Sequence, residues 1–177
     1  DGIYEPVDAG GIPAEWISFA DTIGDRVILH LHGGGYVAGS IDTHRDFLAR
    51  VVRETGWRAL VIDYRLAPEN PFPAALEDAV TAYRWLLAEA GFSPQQVVIA
   101  GDSAGGGLTL ASLLKLKEAG DPLPRAAVCL SPWTDLAVTG ESVETKDADD
   151  PFITADGIRA MAPLYVNGYD PKNPLIS

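Results

Sequence analysis

Apolar residues in this chain fall into short compact runs separated by amphipathic stretches, and that alternation sets the expected architecture. Residues 26–32 (Arg-Val-Ile-Leu-His-Leu-His), 57–63, 97–100 and 125–130 are aliphatic runs bounded by glycine, proline or aspartate, the pattern of buried strands. Between them apolar positions recur at helical spacing. Over 43–55 these are Phe47, Leu48 and Val51, with Thr43 as the expected N-cap and Gly56 as the stop. Over 73–90 they are Leu76, Val80, Tyr83 and Leu87. Pro73 suits the first turn, where its missing N–H costs nothing, Gly91 closes the helix, and Trp85 is expected to pack. Over 108–119 the stripe is Leu110, Leu113, Leu114 and Leu116. Residues 1–15 read as loop, 15–20 as a short edge strand, 21–25 as a turn, and the proline-rich 64–73 as irregular. After residue 130 the apolar pattern lapses. Residues 131–150 read as a solvated acidic loop, 156–166 as a short helix and 167–177 as irregular.

The order strand, helix, strand, helix, strand, helix, strand predicts an α/β fold with a mostly parallel sheet and helices on both faces. Sheets of this kind gather their chemistry at the carboxyl ends of the strands. The loops at Gly33, Tyr64, Ser103 and Ser131 all fall at that edge.

Composition narrows the function classes. With 177 residues and 47% hydrophobic content the chain reads as one domain, 1–177, in which 131–177 is a loop and helix region after the fourth parallel-type strand. A net charge of −12 argues against nucleic acid and anionic membrane surfaces, and no apolar run reaches the length of a membrane span. The single cysteine, Cys129, lies in an apolar run and reads as a buried core thiol, consistent with a reducing, cytoplasmic location. The acidic residues of 141–150 have no histidine near them and no calcium-loop spacing, so no metal is expected there, and no organic cofactor is implied.

Candidate chemistry lies in two glycine-rich turns. Gly101-Asp102-Ser103-Ala104-Gly105 follows a strand and opens a helix in a G-x-S-x-G pattern. Such a turn strains its apex residue and leaves Gly101 and Gly105 where only small residues fit, so Ser103 stands clear as a candidate nucleophile. A phosphate loop would need a different glycine spacing, and no lysine occurs before Lys115. His32-Gly33-Gly34-Gly35 follows an earlier strand. Glycines there let backbone N–H groups face a developing oxyanion unobstructed, and Gly34, Gly35 and Ala104 are the expected donors. His32 is expected to bond loop backbone, and His44 to sit at a surface or anchor a loop.

These two motifs, together with Asp63-Tyr64-Arg65-Leu66-Ala67-Pro68-Glu69 and Ser131-Pro132-Trp133-Thr134-Asp135-Leu136, resemble the bacterial hormone-sensitive-lipase family of carboxylesterases in the α/β-hydrolase superfamily. The resemblance runs from about Gly11 to Ser177, with Asn70 standing where the family often has histidine. It implies a serine carboxylesterase acting on short-chain acyl esters, with Ser103 as nucleophile and Gly34, Gly35 and Ala104 as oxyanion hole. It makes His32, Gly33, Gly101, Asp102 and Gly105 the motif framework, and Tyr36 and Val37 the border of the acyl or alcohol pocket.

The family's chain order places an acid and then a histidine after the serine. Here His30, His32 and His44 all precede Ser103, and Asp150-Pro151-Phe152 resembles the acid motif only superficially. The family's cap helices and last strands are likewise unmatched, so the base and acid are expected from outside this sequence, with a homodimer or a second chain completing the fold. The alternative is a catalytically inactive module that binds a small ligand, as in the plant gibberellin receptors that resemble this family, or an inactive fragment.

Overall fold

The computed structural model describes residues 2–177; Asp1 lies outside them. Six strands form one sheet: β1 (Ile3–Asp8), β2 (Pro13–Ser18), β3 (Ile23–Leu31), β4 (Trp57–Ile62), β5 (Val97–Asp102) and β6 (Ala126–Leu130), in the spatial order β1-β2-β4-β3-β5-β6. The β4, β3, β5 and β6 strands run parallel, and β2 and β1 add antiparallel at one end. Alternation along the strands feeds two cores. Ile28, Ala59 and Val61 meet Leu48 and Val52 of helix α1 (Ile41–Thr55) on one face. Leu29, Leu31, Leu60 and Ile99 belong to the other core, with helices α2 (Ala74–Ala88) and α3 (Ala104–Ala119). The expected α/β architecture with helices on both faces is therefore present.

Several local expectations are revised. Residues read as loop form β1, an exposed strand whose hairpin to β2 is closed by the Gly11 N–H donating to Asp8 Oδ1 and the Ala9 N–H to the Ile12 carbonyl. The β2 strand begins at Pro13 and is flanked on both sides, so it is not an edge. Helix α1 is capped by Ser40, not Thr43. Thr43 sits at the third helical position and completes a reciprocal capping box with Ser40. Phe47 is 41% exposed, and its expected place in the α1 core is taken by Ile41 and Val52. In α2 the core position is Leu86, with Leu87 partly buried, while Trp85 packs its ring 6.2 Å from that of Trp16.

Helix α3 starts four positions earlier than its apolar pattern suggests and takes in the glycines of the serine turn. It packs against β3, β5, β6 and α2, so Leu108, Ala111 and Leu116 are buried while Leu110 and Leu114 are each 40% exposed. Cys129 is half-buried, because among the described residues β6 is the outer strand of the sheet. The 131–150 region holds only the one-turn helix α4 (Ser142–Thr145), and α5 (Ala155–Val166) follows. Among the described residues no helix is long and apolar enough to cross a membrane.

The loop after β4 is fixed by one buried carboxylate. Asp78 on α2, 2% exposed, accepts the Arg65 backbone N–H at 2.8 Å and the Arg65 guanidinium at 2.7 and 3.0 Å. Removing it strands that N–H and the guanidinium fork together. Asp78→Ala is expected to destabilise the protein by about 2–3 kcal/mol, read as a lower urea midpoint at unchanged slope. A midpoint within error of the parent would mean that the loop is held by other contacts.

Candidate functional site

The parallel strands β3, β5 and β6 end side by side, and the two glycine-rich turns leave from that edge. Only Ser103 separates β5 from α3, and the sharpness of that turn puts it at φ 50°, ψ −119°. Its backbone is clamped: the Ser103 N–H donates to the Leu130 carbonyl at 2.9 Å, and its own carbonyl accepts from the Trp133 N–H at 2.8 Å. The flanking glycines are required by close approach. A Cβ at Gly105 would run into the Leu31 and His32 carbonyls of β3 and the turn after it, and one at Gly101 would strike the Gly105 carbonyl.

The second turn approaches the first through Asp102, whose Oδ1 accepts the Gly33 N–H at 3.0 Å. Gly34 has φ 128°, and its carbonyl accepts the N–H groups of Val37 at 3.1 Å and Ala38 at 2.9 Å. That geometry leaves the N–H groups of Gly34 and Gly35 without a protein acceptor among the described residues. The Ala104 N–H, at the first position of α3, has none either. Gly33, Gly34, Gly35, Val37, Asp102 and Ser103 line one cleft of about 710 Å³. Its other walls are mainly apolar, from Trp133, Phe152, Ile153, Ile158 and Met161. These apolar residues were not legible as site residues, since the only signal for them is their proximity to Ser103.

Tyr36 departs from expectation. It is 2% exposed, its ring stacks on Tyr165 at 3.8 Å, and it supports the core instead of bordering the cleft. The backbone that turns it inward has a left-handed φ of 63°. Ala104 is fully buried, so only its backbone N–H is relevant to the site.

Three histidines and one aspartate form a connected group behind the serine turn. The His32 Nδ1–H donates to the Gly33 carbonyl at 2.8 Å, and its ring stacks on Tyr64 at 4.2 Å. The Tyr64 hydroxyl in turn donates to the His32 carbonyl at 2.6 Å. His30 on β3 and His44 on α1 each place Nε2 3.3 Å from Asp102 Oδ1. Burial lowers the pKa of His30 and His32. The contact with Asp102 raises that of His44 despite partial burial. Burial alone would push Asp102 up, but the adjacent imidazoles hold it well below the usual carboxylate range. His32 and Asp102 thus brace the two turns, while the position of His44 beside the cleft follows from the tertiary structure alone.

The chain matches a family described as alpha/beta hydrolase fold over residues 28–177. It is 48% identical over 171 residues to an acetyl-hydrolase of Streptomyces hygroscopicus, an alignment covering 97% of this chain and 56% of that protein. It is 38% identical over 149 residues to a carboxylesterase of Mycobacterium tuberculosis, covering 81% of this chain and 46% of the relative. A solved esterase from the bacterial hormone-sensitive lipase family superposes with a TM-score of 0.97 at 50% identity, covering 100% of this chain and 59% of that one. The chain therefore spans about half the length of these relatives, from 46% to 59%.

Proposed function

From the premise that this chain belongs to the alpha/beta hydrolase fold family, we propose that it carries the nucleophile and oxyanion hole of a serine carboxylesterase acting on short-chain acyl esters. The observation that carries this reading is the juxtaposition, in one cleft, of Ser103 on its strained turn with unpaired backbone N–H groups from two loops. Ser103 Oγ attacks the ester carbonyl. The N–H groups of Gly34, Gly35 and Ala104 hold the oxyanion, and collapse releases the alcohol and leaves an acyl-enzyme. Water then releases the acid. The apolar walls around Val37, Trp133, Ile158 and Met161 receive the acyl and alcohol groups. The strongest support from relatives is the acetyl-hydrolase, whose name points to a small acyl group.

His30 and His44 are turned to Asp102, and His32 to the Gly33 carbonyl. The base that accepts the Ser103 proton, and the carboxylate that orients it, therefore come from residues outside these 177, on the same polypeptide or on a partner copy or second chain. No cofactor enters this mechanism. The single half-buried thiol, Cys129, fits the reducing conditions of a cytoplasmic enzyme.

The full-length protein is expected to hydrolyse p-nitrophenyl acetate and butyrate with declining efficiency toward longer chains. Diethyl p-nitrophenyl phosphate should inactivate it with one phosphoryl group per chain, located on Ser103 by peptide mass spectrometry. Saturable carboxylate binding with neither turnover nor labelling would replace this reading with that of an inactive ligand-binding module.

A further inference from the structure

We infer that His30, His44 and Asp102 form a binding site for a divalent transition-metal ion of the zinc class, ligated by His30 Nε2, His44 Nε2 and Asp102 Oδ1. The site goes beyond the esterase reading and does not depend on it. Three elements distant in sequence converge here: His30 from β3, His44 from α1 and Asp102 from the end of β5. Both imidazole nitrogens lie 3.3 Å from Asp102 Oδ1, and the potential ligand atoms all fall within 4.8 Å of one another. A tetrahedral ion with bonds of about 2.0–2.1 Å sets its ligands about 3.3–3.4 Å apart. The two nitrogen-to-oxygen edges already have that length.

The hydrogen bonding around the cluster leaves a cation to be supplied. Thr43 Oγ1 donates its proton to the Ser40 carbonyl at 2.8 Å, so toward His44 Nδ1, 2.9 Å away, it can only accept. Nδ1 therefore carries the hydrogen, and in the neutral ring Nε2 presents a lone pair to the Asp102 carboxylate. A proton or a metal ion must lie between them. His30 Nε2 is buried and has no hydrogen-bond partner among the described residues, although it faces the same oxygen. Protons on both rings could face Asp102, but the His30 contact lacks hydrogen-bond geometry, whereas a metal ion takes a lone pair from each ring. Two imidazoles and one carboxylate suit zinc, copper or nickel and not calcium or magnesium.

The surroundings supply the remaining features of such a site. Thr43 orients His44, and the Gly33 N–H holds Asp102 Oδ1. His44 and Asp102 line the cleft beside Ser103, which leaves a fourth position for water.

The test is a titration of the untagged, chelator-stripped full-length protein with Co2+, followed by visible absorption. The expected result is saturation at one ion per chain, with the intense bands of a low-coordinate site, and displacement by Zn2+. His44→Gln and His30→Gln should each weaken binding about tenfold or more. Because His30 is buried, His44→Gln, whose side chain is 17% exposed, decides the matter should the other variant fail to fold. No visible band, or undiminished Co2+ affinity in His44→Gln, overturns the proposal.

Discussion

Ser103→Ala in the full-length protein is expected to lower kcat/KM for p-nitrophenyl acetate by about 10^4-fold or more, with urea stability at least as high as the parent's. The loss is large because the covalent route disappears altogether. What survives, on the proposed mechanism, is the contribution of the N–H groups of Gly34, Gly35 and Ala104, which would still favour an oxyanion when water attacks directly. Stability should hold because the Ser103 side chain makes no cap hydrogen bond to α3, and the clamps on this residue are backbone ones. The φ of 50° is a cost that any side chain with a Cβ bears. Ser103→Gly should therefore lose activity equally while gaining about 1 kcal/mol of stability from relieved backbone strain. Hydrolysis at the parent rate in Ser103→Ala would remove Ser103 from the mechanism. Loss of activity accompanied by unfolding in both variants would instead make the residue a structural element of the turn.

Gly105→Ala should be the most destabilising single-methyl change in the chain, at about 3 kcal/mol or more, a large share of the roughly 5–15 kcal/mol that holds a domain folded. The added carbon would meet the Leu31 and His32 carbonyls. Neither side can yield easily. Leu31 pairs with Gly101 in the sheet centre, and the Gly105 carbonyl itself abuts Gly101, so moving α3 away breaks the turn that carries Ser103. The measurement is the urea midpoint, with Gly24→Ala as control because nothing lies within 4 Å of the position its Cβ would take. Equal midpoints for the two variants would mean that α3 has room to shift and that the close approach at Gly105 is not a constraint.

Features that rest on backbone demands within one contiguous stretch were legible from residue order. A strand turning at once into a helix needs small residues on both sides of its apex, and Gly101-Asp102-Ser103-Ala104-Gly105 states that need by itself. The glycine run after His32 states another, as does the stop of α1 at Gly56, which adopts the left-handed conformation. The alternation of compact aliphatic runs with helical spacing likewise determined the parallel core of the sheet and the helices on its two faces.

Other features depended on partners far away in the chain. The β1 strand is mostly exposed, its Ile3, Tyr4 and Val7 form no compact apolar run, and it exists because β2 offers it an antiparallel edge. The leucines of α3 look alike in the sequence, yet Leu108 and Leu116 are buried while Leu110 and Leu114 are exposed, because the sheet and α2 cover only part of the helix. Tyr36 sits beside Val37 in sequence but stacks on Tyr165 of α5 instead of facing the cleft. The convergence of His30 and His44 on Asp102 was equally unreadable, since no spacing rule links a strand, a separate helix and the end of another strand. Residue order determined this protein's turns and the serine at the apex of one of them, because those are local conformational requirements. The tertiary structure alone decided what surrounds that apex, because burial and hydrogen bonding there are set by segments that meet only after the sheet has formed.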